Sequence, residues 1–154
     1  MPISLVGSEM CIRDRKKVYF DSIQSLDKKI YSQEQKRAWC AQAWDNPNFD
    51  NSITKGKGWL LSEKGIIIAF AIRYPNNRIA LFYCKGKFQR KGFGSKLLQK
   101  LEDEAKKEGL DSLSTEASLI SYELFLKNGW KIIRKEKVTI NNIFFERYKM
   151  NKII

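Results

Sequence analysis

The chain has 154 residues, 43% of them hydrophobic and 30% charged, a composition ordinary for one globular domain with a real core. Its 29 lysines and arginines exceed its 17 aspartates and glutamates, so the formal net charge is +12, and it has no histidine. Without histidine, Ser–His–Asp triads and Cys–His nucleophile pairs are excluded. Three cysteines without a C-x-x-C spacing argue against a zinc site.

No apolar run in the sequence approaches the length of a membrane span, because the longest, Ile66–Ile72, is strand-sized. We find no secretory signal and no lipidation motif, so we expect a cytoplasmic protein without a membrane partner. The charge raises the possibility of nucleic-acid binding. However, the lysines are spread along the whole chain, and an anionic cofactor would favour the same basic surface. We therefore do not expect nucleic acid as the main partner.

The first fifteen residues differ in character from the rest of the chain. Leu5–Asp14 resembles a translated transposon adapter from sequencing-library preparation. We interpret residues 1–15 as a non-native artefact segment, predict that they form no packed native strand, and assign residues 16–154 to one domain.

The next part of the sequence predicts two helices and a loop. Val18–Leu26 is typical of the remainder of a first helix. Ser32 is a predicted N-cap with Gln35 at the capping-box position, and it opens a helix that runs to about Trp44. Asp45–Gly58 contains Asn-Pro-Asn and two glycines, so we predict a loop there.

β-rich runs separated by tight turns then predict antiparallel strands. The runs are Trp59–Glu63, Ile66–Tyr74 and Arg78–Cys84. After an amphipathic helix over Lys96–Gly109, Ser112–Ala117 is reached by a crossover, so it should pair in parallel with Ile79–Cys84. The chain should end with a helix and a hairpin, over Leu119–Asn128, Trp130–Ile140 and Ile143–Met150.

A glycine-containing turn, Phe88–Ser95, lies between a predicted strand and the amphipathic helix. A helix N-terminus has N–H groups without partners and a partial positive charge, which suits an anion. Gly92 and Gly94 have no Cβ, so a phosphate could approach the backbone closely. The turn predicts a pyrophosphate site, with an ordinary tight turn as the open alternative. It is neither the dinucleotide pattern G-x-G-x-x-G nor a Walker loop.

The order Gln/Arg-x-x-Gly-x-Gly after a strand resembles the acyl-CoA-binding motif of the GNAT N-acetyltransferase superfamily. Glu116-Ala117-Ser118, the helix after it and Asn128-Gly129-Trp130 are similar to one bacterial branch of that superfamily. Tyr31-Ser32-x-Glu34-Gln35 resembles the second helix of the same branch. The similarity covers Val18 to Lys149. It implies an α/β GNAT fold, a mixed and mostly antiparallel central sheet flanked by helices, with the N-terminal strand missing or replaced.

The resemblance also implies an enzyme that moves an acetyl group from acetyl-CoA directly to an amine in a ternary complex. It implies backbone contacts to the pantetheine arm from Phe82, Tyr83 and Cys84, although core packing is the alternative for the two aromatic residues. The implied pyrophosphate contacts are Gln89, Arg90, Lys91, Gly92, Phe93, Gly94 and Ser95. Cys84 is expected to be a small buried hydrophobe and not a nucleophile.

Many members of the superfamily carry a general-acid tyrosine where this chain has Phe125, which has no proton to give. We include Phe125 among the expected cofactor contacts. Tyr122, one turn earlier, could replace the acid, and packing or a cofactor contact is its alternative. Glu116 is the best-placed carboxylate for a base, acting directly or through a water, and a surface salt bridge to a lysine is its alternative.

The acceptor is left open by the sequence, as a small-molecule or peptide amine. Tyr31 and Glu34 are candidates to contact it, and Asp45–Gly58 is expected to lie nearby. Two other hypotheses remain: a non-catalytic GNAT-fold protein that binds acyl-CoA, and a basic nucleic-acid-binding module. The oligomeric state is also open, with a homodimer as one possibility.

Overall fold

In the computed structural model, the described residues (3–5, 12–86 and 92–154) form a seven-stranded mixed sheet flanked by helices. The elements in chain order are β1 Ile3–Leu5, α1 Ile12–Gln24, α2 Gln33–Asp45, α3 Pro47–Lys55, β2 Lys57–Glu63, β3 Ile66–Arg73, β4 Arg78–Cys84, α4 Phe93–Lys107, β5 Ser112–Ser118, α5 Tyr122–Lys127, β6 Lys131–Ile140 and β7 Ile143–Ile153. The predicted α/β fold is confirmed.

The strand order is β1-β2-β3-β4-β5-β7-β6, and β4–β5 is the parallel pair within it. The parallel pairing predicted for these two strands is therefore confirmed. It covers two residue pairs, Arg78 with Ser114 and Ile79 with Thr115. Beyond Ile79 the ladder between β4 and β5 ends, and a cavity lies between the two strands.

The two faces of the sheet carry separate cores because residues alternate sides along each strand. On one face, α4 packs its buried leucines against β3 and β5, which contribute Ala69, Leu113 and Ala117 among others. On the other face, α1 and α3 pack with Phe70, Ile72 and Leu81. The sheet face covered by α4 and the one covered by α1 therefore border opposite sides of this cavity.

The structure corrects two expectations about the N-terminal segment. We predicted no packed strand in residues 1–15, but Ile3–Leu5 pairs antiparallel with Trp59–Leu61 of β2. An exposed strand edge offers unpaired N–H and C=O groups, which a short extended segment can satisfy. In addition, α1 begins at Ile12, and Arg15 is buried with its Nη1 donating to the Ile53 carbonyl at 2.9 Å. That the segment is not native stays a prediction.

The predicted loop Asp45–Gly58 is wrong, because Pro47–Lys55 forms helix α3. Asn46 caps it, accepting a hydrogen bond from the Asn48 N–H at 2.9 Å. Asn at an N-cap and Pro at the first helical position are both preferred there. Phe49 and Ile53, four residues apart, bury one face of the helix. The Asn-Pro signal was thus a helix start and not a turn.

The last helix is shorter than predicted. It spans Tyr122–Lys127, whereas the sequence predicted Leu119–Asn128. The Ser118 hydroxyl accepts hydrogen bonds from the backbone N–H groups of Ile120 and Ser121, at 3.3 and 3.0 Å. A serine side chain that binds the backbone two or three residues on holds a turn and competes with helix. The predicted hairpin at the end of the chain is confirmed as β6–β7.

Candidate functional site

A cavity of about 580 Å³ lies where β4 and β5 diverge. It is lined on the α4 face by Phe82, Ala117 and Phe125, and on the opposite face by Trp39 and Tyr83 among others. The opening therefore passes between the strands and reaches both sides of the sheet. A chain-like ligand could be held there with its two ends on different faces.

The start of α4 forms one end of the cavity, where Gly92 is the N-cap at φ +84° and no side chain caps the helix. A Cβ on Gly92 would meet nothing within 4 Å among the described residues, so a group could approach the backbone here. This uncapped N-terminus fits an anion such as a phosphate. The predicted contacts Gln89, Arg90 and Lys91 lie outside the described residues.

Two contacts tie the start of α4 to α5. A Cβ on Gly94 would lie 2.9 Å from the Leu124 Cδ2, so glycine permits the close approach of the two helices. The Asn128 Nδ2 donates to the Ser95 Oγ at 3.2 Å and to the Leu124 carbonyl at 2.8 Å. Gly94 and Ser95 line the cavity, whereas Phe93 packs at the edge of the α4 core. Asn128 was not identified from the sequence as a site residue.

Phe125 closes the floor of the cavity on the α4 face. Its side chain is 1% exposed and lies between the rings of Phe82 and Trp130, with centroids at 5.7 and 4.9 Å. It therefore offers an apolar surface and no proton. Phe82 both packs against this core and lines the cavity, so the two interpretations given for it are compatible.

On the opposite face, a hydrogen-bonded aromatic pair forms the wall. The Trp39 Nε1 donates to the Tyr83 Oη at 3.2 Å, and the Tyr19 hydroxyl donates to the Trp39 carbonyl at 2.6 Å. Burial is the main cause that raises the pKa of Tyr83 to about 12. Tyr83 therefore keeps its proton at neutral pH. The sequence pointed only to its backbone, since the Trp39 contact joins residues 44 positions apart.

Glu116 lines the cavity on the same wall, at the end of β5. Both of its carboxylate oxygens accept from the Arg78 Nε, at 2.9 and 3.2 Å, and the Lys149 Nζ lies 3.9 Å away. Its side chain is 16% exposed. The carboxylate thus reaches the cavity while two cations hold it, so the structure is compatible with both interpretations of Glu116. Its first partner is an arginine and not a lysine.

Three other candidates lie away from the cavity lining. The Tyr122 ring packs at a tilt of 38° against that of Tyr148, with centroids 4.5 Å apart. Tyr31 is buried, and its hydroxyl accepts from the Leu119 N–H at 2.9 Å. Burial raises the pKa of this phenol. Glu34 is exposed in the first turn of α2.

Cys84 lines the cavity at the end of β4 and is partly buried. Burial, with a smaller contribution from the Asp21 carboxylate, raises the pKa of its thiol to about 11. The thiolate is the nucleophilic form, so the side chain is a poor nucleophile at neutral pH. A role as a small hydrophobe stays our prediction for Cys84.

Ala80 marks an irregularity in the cavity wall. Between β3 and β4 the register shifts, so Ile72 pairs with Leu81 and Arg73 with Ile79. Ala80 has no opposite residue there, and the ladder with β5 ends at Ile79. Such a bulge leaves backbone groups available to a ligand. It has no signal in the sequence, because no glycine or proline marks the position.

Two kinds of feature are absent from the described residues. None of their helices is long and apolar enough to cross a membrane. No group of three or more Cys, Asp or Glu side chains suited to a metal occurs in the same ranges.

Comparisons with known proteins agree on a family. The acetyltransferase (GNAT) domain matches residues 27–152. A GCN5-related N-acetyltransferase structure from Rhodopseudomonas palustris is similar at a TM-score of 0.88 and 23% identity, covering 99% of this chain and 95% of that one. The PaiA N-acetyltransferase of Thermoplasma acidophilum, solved with coenzyme A, has a TM-score of 0.74 and 19% identity, with both chains fully covered.

A third similar structure is yncA from Salmonella typhimurium, solved with its cofactor acetyl-CoA. Its TM-score is 0.66 at 16% identity, covering 99% of this chain and 93% of that one. No curated protein matches the chain in sequence.

Proposed function

The chain belongs to the GNAT acetyltransferase family, and we propose that it transfers an acetyl group from acetyl-CoA directly to an amine. One observation carries the proposal: the cavity runs from the uncapped start of α4, between β4 and β5, to the carboxylate of Glu116. This path can hold the phosphates of the cofactor at one end and bring its thioester next to an amine beside Glu116 at the other.

We assign the cofactor end to the start of α4 and the end of β4. Gly92, Gly94 and Ser95 line the cavity at the N-terminus of α4, where the helix dipole favours phosphate. Phe82–Cys84 extend along the cavity, where the backbone can pair with an amide-containing arm. Coenzyme A is bound in the Thermoplasma structure, and acetyl-CoA in the Salmonella one, which supports this assignment.

The acceptor end needs a base, since an amine with a pKa of about 10 is mostly charged at neutral pH. We assign that role to Glu116, directly or through a water, because it lines the cavity on the wall of Trp39 and Tyr83, whereas Glu123, also in the lining, lies in the first turn of α5. When bound, acetyl-CoA supplies the acyl group as an activated thioester. Its leaving group is a thiolate, and because the corresponding thiol has a pKa of about 8.5, it can leave without a proton donor. Phe125 therefore does not exclude transfer. Tyr122 lies outside the cavity lining and packs against Tyr148, so we assign it no proton transfer.

A non-catalytic acyl-CoA-binding protein is the second candidate. The buried Phe125, without a proton, is the observation that favours it. A sensor needs the cofactor end of the cavity and not the acceptor end.

Thiol release from acetyl-CoA, followed with a panel of primary amines, tests the proposal. We expect amine-dependent release and an acetylated amine in the mass spectrum. Acetyl-CoA binding without release for any amine would support the second candidate instead. Salt-sensitive retention on DNA without acetyl-CoA binding would favour the nucleic-acid hypothesis.

A further inference from the structure

A row of charged side chains crosses β4, β5, β7 and β6 on one face of the sheet. We name it the basic strip; it comprises Arg78, Glu116, Lys149, Arg134, Glu136 and Arg147. Cross-strand pairing places Glu116 opposite Lys149 and Glu136 opposite Arg147, so these side chains share a face. Of these six residues, Glu116 lines the cavity.

The basic strip has a surplus of positive charge. Glu116 is shared by Arg78 and Lys149, and Glu136 is shared by Arg134 and Arg147. Four cations thus meet two carboxylates, which leaves a net charge of +2. The strip is open to solvent, since Arg134 is 60% and Arg147 36% exposed in their side chains. A surplus of positive charge beside a cavity favours an anionic ligand.

The phosphates of acetyl-CoA do not account for this surplus. The proposed phosphate site is the start of α4, and this helix packs on the sheet face that carries Leu113 and Ala117. Glu116 lies between these positions in β5 and points to the opposite face, with Lys149 and Arg147. The basic strip therefore lies on the acceptor side of the sheet.

We propose that the acceptor is an amine that also carries a carboxylate, as an amino acid does, and that Lys149 and Arg147 bind this carboxylate. The inference rests on the proposed transferase function. The Arg147 Nε donates to Glu136 at 3.1 Å, and its Nη atoms make no hydrogen bond within the described residues. The Lys149 Nζ lies 3.9 Å from the Glu116 carboxylate, a long distance for an ion pair. Because this pair is weak, the Lys149 ammonium can move to a new anion.

The spacing of the strip fits a small acceptor. Directly opposite residues in an antiparallel pair lie about 5 Å apart and diagonal ones about 7–8 Å. Lys149 is opposite Glu116, and Arg147 is diagonal to it. A carboxylate bound between these two cations therefore leaves the amine, a few bonds away, within reach of Glu116. A polycation such as spermidine would instead meet Arg78, Lys149 and Arg147 with like charge.

The first test compares matched acceptors. The kcat/KM of thiol release is measured for the twenty free L-amino acids, for their carboxamides and for spermidine. We expect at least one amino acid to exceed its own carboxamide about tenfold, the gain of one charge-assisted contact at a partly exposed site. If the kcat/KM for carboxamides or spermidine equals or exceeds that for the amino acids, the inference is overturned, whereas the transferase function still holds.

The second test uses variants of the strip. Lys149→Gln and Arg147→Gln should each bring the roughly tenfold ratio of kcat/KM between the amino acid and its carboxamide down toward one. The control Lys137→Gln removes an exposed charge whose strand position lies on the other face, opposite Glu146, and should leave the ratio unchanged. Equal losses for both acceptors would show a structural effect and contradict carboxylate binding.

The outcomes separate the two proposals. If acetyl-CoA stabilises the protein but no acceptor in the panel is acetylated, the amino-acid inference fails. If acetyl-CoA does not bind at all, the proposed function fails, and the inference fails with it.

Discussion

At the scale of single residues, the proposed proton transfer depends on Glu116. Glu116→Gln keeps the size of the side chain and removes its basicity, so we expect kcat to fall about 10²–10⁴-fold while acetyl-CoA affinity is kept. Glu146→Gln is the control, because Glu146 also pairs with a cation, Lys135, but lies on the other face of the sheet and does not line the cavity. Equal kcat values for wild type and Glu116→Gln would remove Glu116 as the base.

Cys84 lies in the cavity wall, yet we predict no covalent role for it. Its raised pKa, about 11, keeps the thiol protonated at neutral pH. Cys84→Ala should therefore leave kcat nearly unchanged, and alkylation of Cys84 by iodoacetamide should accelerate as the pH rises toward 11. Loss of all transfer in Cys84→Ala, together with an acetylated protein in wild type, would instead indicate an acyl-enzyme.

At the scale of elements, helix α3 depends on its N-cap residue. The Asn46 side chain accepts from the Asn48 N–H, so Asn46→Ala should lower the free energy of unfolding by about 1 kcal/mol in urea titrations. Asn48→Ala is the control, since Asn48 contributes only its backbone to this bond and its side chain is exposed. A larger loss in the control than in Asn46→Ala would contradict the cap.

An ion pair with a buried carboxylate holds α4 to β7. Glu102, 2% exposed, pairs with the Lys152 Nζ, which also donates to the Asn128 carbonyl at 2.8 Å. Lys152→Met leaves the carboxylate buried without its cation, so we expect a loss of about 3 kcal/mol in unfolding free energy. The double variant with Glu102→Leu should recover most of it. If the double variant is less stable than Lys152→Met alone, the account of an uncompensated charge is wrong.

Local signals predicted most elements of this fold correctly. β-rich runs between tight turns indicated β2, β3 and β4, and the capping box at Ser32 indicated the start of α2, which the structure confirms. The misses have local causes as well. Asn46-Pro47 suits both a turn and a helix start, and the burial of Phe49 selected the helix. The Ser118 hydroxyl shortened α5 through bonds that the helical period does not reveal.

At the scale of the whole molecule, the candidate site was only partly predictable. The glycine turn and Glu116 are local in sequence and could be singled out there. The divergence of β4 and β5, the bulge at Ala80 and the pairing of Arg78 with Glu116 depend on which strands meet. No spacing in the sequence encodes them. For the same reason the sequence could not separate an acceptor face from a cofactor face.

The pH dependence of stability is also a property of the whole fold. Burial raises the pKa of Cys84 from 9.0 to about 11 and that of Tyr83 from 10.0 to about 12. The folded state then binds more protons than the unfolded chain between these values, so these two groups contribute no pH dependence well below pH 9 and make stability fall from pH 9 to 12. Urea midpoints measured across this range should fall less steeply in Cys84→Ala. An unchanged slope would contradict the burial of the thiol.

The measurement that tests the central claim most directly is a thermal-shift titration with acetyl-CoA on wild type, Gly92→Asp and Gly92→Asn. The two substitutions share the strain of a φ of +84°, but only the aspartate repels a phosphate at the start of α4. At a hundredfold excess over Kd, binding adds about 2.7 kcal/mol, or about 5–10 °C for a chain of this size. We predict that shift for wild type, a smaller one for Gly92→Asn and none for Gly92→Asp. If all three proteins are folded and shift equally, or none shifts, acetyl-CoA does not bind at this site.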